Sequence, residues 1–397
     1  MNLAGGTDML NSGAGIEGDR PVYLDHAATA PVDPRVADEV LKFMAYEFGN
    51  AGSRTHSYGQ IAKQRVNRAR EEVAALVAAR ADEVIFTSGA TESDNLAILG
   101  LAKHGEETGK RHIISTMIEH KAVLEPLDIL RERGFEVDLL APTEGGWIDP
   151  ADIAATLRPD TLLVSVMAVN NETGVIQPVD EIADLLSAHE AYFHVDAAQS
   201  YGKVIEPLQN QRIDLISASG HKISAPKGVG ALITRRRGYK RPPLTPLMFG
   251  GGQERGLRPG TLPVALIAGL GLAARFAMDE AKERHEANLA VRDQILAAID
   301  EIGALTNGDV ERTVASTLNF SVPGVDSEAA IVALKDVAAV SNGSACTSQS
   351  YEPSHVLTAA GLSKERVDGA LRLSWGHATT AVPIDVIVDR LRALQKQ

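Results

Sequence analysis

Through its middle the chain alternates short runs of apolar positions with longer stretches whose apolar residues recur at helical spacing. Strands are expected over 84–87, 112–115, 137–140, 161–169, 192–196, 213–217 and 229–233, because β-branched and aromatic residues crowd there between turn signals. Helices are expected between them over 92–102, 120–133, 150–157 and 179–189. Strand and helix taking turns in this way imply a mostly parallel sheet covered by helices. Upstream lie a short strand at 22–25, a helix at 34–44 capped by Asp33, a glycine-rich loop at 48–53 and an amphipathic helix at 61–79. Downstream, 262–302 reads as long helix interrupted near Gly269 and Gly271, a helix breaker by propensity. A mixed pattern follows, with strands at 317–322 and 370–374 and helices at 327–335, 352–360 and from Pro383. The expected fold class is therefore α/β: a flexible leader (1–20), a large domain (31–265), and a smaller α+β domain from 21–30 and 266–397.

Composition narrows the function. The 397 residues are 44% hydrophobic and 23% charged, with a formal net charge of −13. That charge argues against direct nucleic-acid binding, which needs a basic surface. Arg235-Arg236-Arg237, a tight basic cluster, reads as a solvated turn. Cys346 is the only cysteine, so neither an internal disulfide nor a multi-cysteine zinc site can form, and no metal is expected. No apolar run reaches membrane-spanning length. A cytoplasmic address is the default expectation.

Three stretches carry candidate chemistry. Ser219-Gly220-His221-Lys222 ends a buried strand and puts a lysine where an apolar pocket would lower its pKa and free its amine to act as a nucleophile. Thr87-Ser88-Gly89-Ala90-Thr91-Glu92 runs from strand to helix through small residues, so that backbone N–H groups and the Thr91 hydroxyl can meet a phosphate. Asp196, in His194-Val195-Asp196-Ala197-Ala198-Gln199, closes another buried strand and needs a cation there. Lys222 lies about one crossover further along, which puts both at the carboxyl ends of neighbouring strands. Cys346 sits among small polar residues (341–350) that cannot pack a core, unlike an inert buried thiol.

A phosphate-binding turn, an aspartate and a lysine in this order resemble fold-type I pyridoxal-phosphate enzymes. Ser88-Gly89-Ala90-Thr91-Glu92-Ser93, Glu119-His120-Lys121-Ala122-Val123, Asn170-Asn171-Glu172-Thr173-Gly174, Gly250-Gly251-Gly252-Gln253-Glu254-Arg255 and Gly343-Ser344-Ala345-Cys346-Thr347-Ser348 are similar to cysteine desulfurases of the NifS/IscS kind. The resemblance implies that Lys222 holds the cofactor as a Schiff base and moves protons, Asp196 pairs with the pyridine nitrogen, and Gln199 bonds the ring phenol oxygen. By the same resemblance His120 stacks on the ring and serves in acid–base steps. Ala90, Thr91, Ser219 and His221 belong to the phosphate end, with Thr261 reaching in from a second subunit of a homodimer. Asn171, also a cofactor contact, and Arg372 would hold the carboxylate of the substrate, L-cysteine, the guanidinium suiting a bidentate pair. Cys346 would take the substrate's sulfur as a persulfide, leaving alanine, and carry it to an acceptor protein. Phe48-Gly49-Asn50-Ala51-Gly52-Ser53, Leu257-Arg258-Pro259-Gly260-Thr261 and Ser374-Trp375-Gly376-His377 look like the DndA type, desulfurases of bacterial DNA phosphorothioation. That pathway implies as acceptor an ATP-dependent sulfurtransferase with an iron–sulfur cluster. The alternatives are a desulfurase serving an iron–sulfur scaffold or tRNA thiolation, and a selenocysteine lyase.

Overall fold

The computed structural model describes residues 20–343, 353–379 and 381–395. Its main sheet contains β2 (Val84–Thr87), β3 (His112–Thr116), β4 (Glu136–Leu140), β5 (Thr161–Met167), β6 (Tyr192–Asp196), β7 (Leu215–Ser219) and β8 (Gly230–Thr234). Their spatial order is β2-β8-β7-β6-β5-β3-β4. Only β8 runs against its neighbours. The other six strands therefore all end on one edge, where sheets of this kind bind ligands. All but β4 are buried or nearly so along their length, which is why they read as continuous apolar runs.

A second core forms on β10 (Thr317–Ser321), which pairs antiparallel with β9 (Leu305–Thr306) and β12 (Ala370–Ser374). The start of the chain joins it: β1 (Val22–Tyr23) pairs in parallel with β11 (Ala338–Ala339), and Asp25 bridges to Ser374. Leu24, Phe320, Leu371 and Trp375 fill this core. Segment 24–30 thus crosses from the second core to the site edge of the main sheet.

The 262–302 stretch breaks elsewhere than the glycines suggested. It forms two helices, Val264–Asp279 and Ala281–Asp300, parted at Glu280, whose carboxylate pairs with Arg35 (2.6 Å) and Arg284 (2.7 Å). Gly269 and Gly271 lie inside the first helix because a β-carbon there would come within 2.7 Å of Val40 and 2.6 Å of Ala69. They allow close helix packing rather than a break. Val264–Asp279 shares the main core with helices Pro34–Ala45 and Ser57–Leu76, so one core gives way to the other at Glu280, later than a division at 265/266. Asp33 caps Pro34–Ala45 as expected, accepting from Arg35 N. Arg235 is not solvated: its guanidinium is buried and donates to the Val77, Leu208 (2.7 Å) and Asn210 (2.6 Å) carbonyls, tying loops beneath the sheet. Arg236 and Arg237 pair with Asp82 and Asp214.

Candidate active site

At the carboxyl edge of the main sheet lies a cavity of about 510 Å³. Ten of the residues singled out from the sequence line it: Ala90, Thr91, His120, Asn171, Asp196, Gln199, Ser219, His221, Lys222 and Arg372. Thr261 is exposed and is not among the residues lining its own chain's cavity. Cys346 lies outside the described residues.

One end is built for an anion. β2 stops at Thr87, and helix Ala90–Gly100 begins two residues before the expected 92, which puts Thr91 in its first turn. First-turn N–H groups have no acceptor within their own helix and present partial positive charge. Ser88 N donates to Glu92 (2.7 Å), and Arg258 Nε meets the same carboxylate at 3.1 Å. Gly230, paired with Thr87 across the sheet, has no room for a side chain: a β-carbon would sit 2.6 Å from Gly89 Cα. Bare backbone therefore brings the turn against β8 and beside Ser219, the last residue of β7. His221 Nδ1 lies 3.2 Å from Thr29 Oγ1. Burial, then Lys222, Lys227 and Lys203, push its pKa down to about 4, so near neutral pH it is an uncharged hydrogen-bonding group.

The other end is acidic and dry. Asp196 closes β6, largely buried at 5% exposed, and accepts from Ala198 N at 2.8 Å. Burial raises its pKa, while Ala198 N–H, His120 and Lys222 pull it down. Gln199 donates to the Ala27 carbonyl (2.9 Å). His120 caps helix Lys121–Glu132, its Nδ1 accepting from Ala122 N at 3.0 Å. That bond puts the neutral ring's proton on Nε2. Burial lowers the His120 pKa more than Asp196 raises it. Between the two ends, Lys222 follows β7 in a single 3-10 turn and donates to the carbonyls of Ala27 and, at 2.9 Å, Ala28. Those carbonyls belong to the segment that crosses from the second core.

Arg372, on β12, is 1% exposed. It donates to Asn171 O (2.8 Å) and pairs with Asp25 (2.7 Å), while its Nε has no partner. Its guanidinium is thus held between the two cores.

Two buried acids escaped the sequence reading. Asp94, in the Ala90–Gly100 helix, lines the cavity and is fully buried beside Ser217. His194 Nε2 stands 3.5 Å from it, and the His194 ring is itself held by Ser165 (2.8 Å) and Ser217 (3.0 Å). Burial, then Asp196, raise the Asp94 pKa well above the usual carboxyl value. A polar residue in a helix reads as exposed, and only the sheet beneath reverses that. Glu119 accepts from Thr116 Oγ1 and Met167 N, both at 2.9 Å, and so joins the ends of β3 and β5 just before His120.

Burial, with Asp196 adding to it, pushes Glu119 up to about 8. Between its ordinary 4.5 and about 8 the folded chain keeps a proton that the unfolded chain has released. Stability from this group therefore falls as pH rises through that window, by roughly 1.4 kcal/mol per unit. Glu119→Gln keeps an oxygen for both donors and removes the titration. It is expected to melt above the wild type at pH 8, with the gap closing toward pH 5. Parallel melting curves with the same pH slope in both proteins would contradict this.

Residues 22–387 match the family described as aminotransferase class-V. The chain is 48% identical over 384 residues to the cysteine desulfurase IscS of Vibrio cholerae serotype O1 (strain M66-2), covering 94% of each protein. Among solved structures, DndA from Streptomyces lividans is 56% identical, with a TM-score of 0.79 over 89% of this chain and 99% of the other. A structure of SspA in complex with cysteine is 36% identical, with a TM-score of 0.78 over 89% and 98%.

Proposed function

Because the chain belongs to the class-V aminotransferase family and is a pyridoxal-phosphate-dependent cysteine desulfurase within it, we propose that Lys222, Asp196, His120, Arg372 and Cys346 divide its chemistry among them. What carries this reading is that an amine, a buried carboxylate and an anion-binding helix start line one cavity. The donor set fits the cofactor: Ala90, Thr91, Ser219 and His221 face a phosphate, Asp196 a ring nitrogen, and Gln199 a ring oxygen. Lys222 is the amine that would hold its aldehyde carbon. Bound pyridoxal phosphate supplies an electron sink for bonds at the substrate's carbon skeleton.

The residues act as follows. Arg372, with Asn171 beside it, binds the carboxylate of L-cysteine through charge-assisted hydrogen bonds. Asp196 would pair with the ring nitrogen, a positive partner that would offset the rise that burial gives its pKa. Lys222, released from the Ala27 and Ala28 carbonyls, moves a proton at the substrate's α-carbon. His120, with its proton on Nε2, would contact the ring and help place the substrate thiol. The Cys346 thiolate attacks the substrate sulfur: a sulfur–sulfur bond forms and the carbon–sulfur bond breaks. The carbon keeps the electron pair and takes a proton, so alanine leaves and a persulfide stays on Cys346.

Cofactor-loaded protein given L-cysteine and a thiol reductant should release alanine and sulfide in equal amounts. Cys346→Ser should lose both, by at least about 10²-fold, the loss of a nucleophile and not of binding. Alanine persisting in the variant would sink the persulfide step and favour a lyase that needs no thiol.

The acceptor reading is DNA phosphorothioation, supported by the 56% identity to DndA against 48% to IscS. A homodimer reading is supported by the exposure of Met44, Tyr46 and Phe48 close together in the chain, and by Thr261, which does not line its own chain's cavity. Capture from cells expressing tagged and untagged copies tests both. Untagged copies should come down with an ATP-dependent iron–sulfur sulfurtransferase. Recovery of an iron–sulfur scaffold instead would move the chain to general cluster assembly, and absence of the untagged copy would remove the dimer.

A further inference from the structure

A second cavity, of about 540 Å³, shares Lys222 with the first. Its walls come from 202–206 after β6, the first half of helix Ala281–Asp300, 313–316 and 375–377, so it lies between the two cores. It also takes in Trp375 and His377, which the reaction leaves without a role.

The charge in this cavity runs against the chain's average. Lys203, Lys222, Lys282, Arg284 and Arg292 line it, and Glu206 is its one lining carboxylate among the described residues. The acids near its rim are largely committed: Glu280 is divided between Arg284 and Arg35, while Asp293, mostly exposed, stands 3.6 Å from Arg292 Nε. Arg292 Nε is buried with no hydrogen-bond partner. Lys203 makes no ion pair among the described residues, and burial, then Lys222 and Arg372, push it down to about 8. His26 is pushed to about 4 by burial, Lys203 and His377, again with no acid to oppose them. Arg284 and Arg292 thus have acids beside them and Lys282 is exposed and paired with Glu286, which leaves Lys203 and the Arg292 Nε as the positive groups in this cavity that lack a hydrogen-bonding acid among the described residues.

We infer that this cavity binds a small, multiply charged oxyanion of the phosphate class, with Lys203, Arg284 and Arg292 as its ligands. A single carboxylate would answer only one of these cations, whereas a phosphate offers several acceptors to guanidinium groups at once. The enclosed volume excludes a nucleic-acid strand. Ile176, Val204 and Val314 add an apolar wall beside the charges, which suits the organic part of a phosphate ester.

Calorimetric titration of cofactor-loaded protein tests this, since loading keeps the Ala90–Gly100 helix start from being what is read. Inorganic phosphate and phenyl phosphate are the probes, with chloride at matched ionic strength as the control. One saturable site per chain is expected. Tighter binding of phenyl phosphate would assign the site to esters, and equal binding to the free ion. Lys203→Met and Arg284→Gln should each weaken binding at least tenfold. An anion raises the pKa of the cations it meets, so binding at pH 8 should take up protons, and the heat should change with the buffer's ionisation enthalpy. That uptake should vanish in Lys203→Met. Arg292→Gln, at a partly exposed position, keeps the test decisive should a more buried variant fail to fold. Absence of saturable heat in the wild type, the same heat from chloride, or unchanged affinity in the folded variants would overturn the proposal.

Discussion

Lys222→Ala is expected to remove the protein-bound cofactor absorbance band and to reduce alanine formation by roughly 10³-fold or more, in the upper range of what a positioned acid–base group supplies. The reason is where β7 ends. The strand delivers Lys222 to the cavity that the Ala90–Gly100 helix start and the carboxylate of Asp196 also line. Lys227 also lines the cavity, but it is exposed. Lys227→Ala should therefore keep the band, and the pair of spectra separates the two amines. A wild-type spectrum in Lys222→Ala would refute the assignment.

Asp196→Asn should cost about 3–5 kcal/mol of interaction with the cofactor ring, the usual loss when one partner of a buried pair is removed. Turnover should fall by about 10²–10⁴-fold in consequence. The variant should fold, because an asparagine oxygen can still accept from Ala198 N at the end of β6. The melting temperature of the cofactor-free protein thus separates a chemical loss from a structural one. If turnover stays within tenfold of wild type, Asp196 does not act on the ring.

The main sheet was legible because each strand is short, apolar and closed by a turn, and because the crossovers are amphipathic. Errors arose where a residue's role depends on what packs against it. Gly269 and Gly271 read as breaks, yet they are contact points between helices. Arg235 read as solvated, yet backbone carbonyls surround it under the sheet. Asp94 drew no reading from the sequence, yet it is fully buried and lines the cavity. His120, expected as a ring contact, is also the cap of helix Lys121–Glu132. Its Nδ1 makes the cap while the residue lines the cavity, so the first fixes the tautomer that the second would use.

By itself the sequence determined the strand-and-helix alternation, the small-residue turn before Thr91, and the presence of Asp196 and Lys222 at strand ends. These are local properties, written in periodicity and turn chemistry within a few residues. Only the tertiary structure decided which side chains meet. It brought Arg372 from the last strand, Asp25 and the Ala27 and Ala28 carbonyls from the first residues, and Asn171 from the middle of the chain to one place. It also raised the pKa of Glu119 to about 8 and that of Asp94 well above the usual carboxyl value, in both chiefly by burial. Burial is a property of the packed layers and not of any segment, so the electrostatics of this site were settled only when the two cores closed on each other.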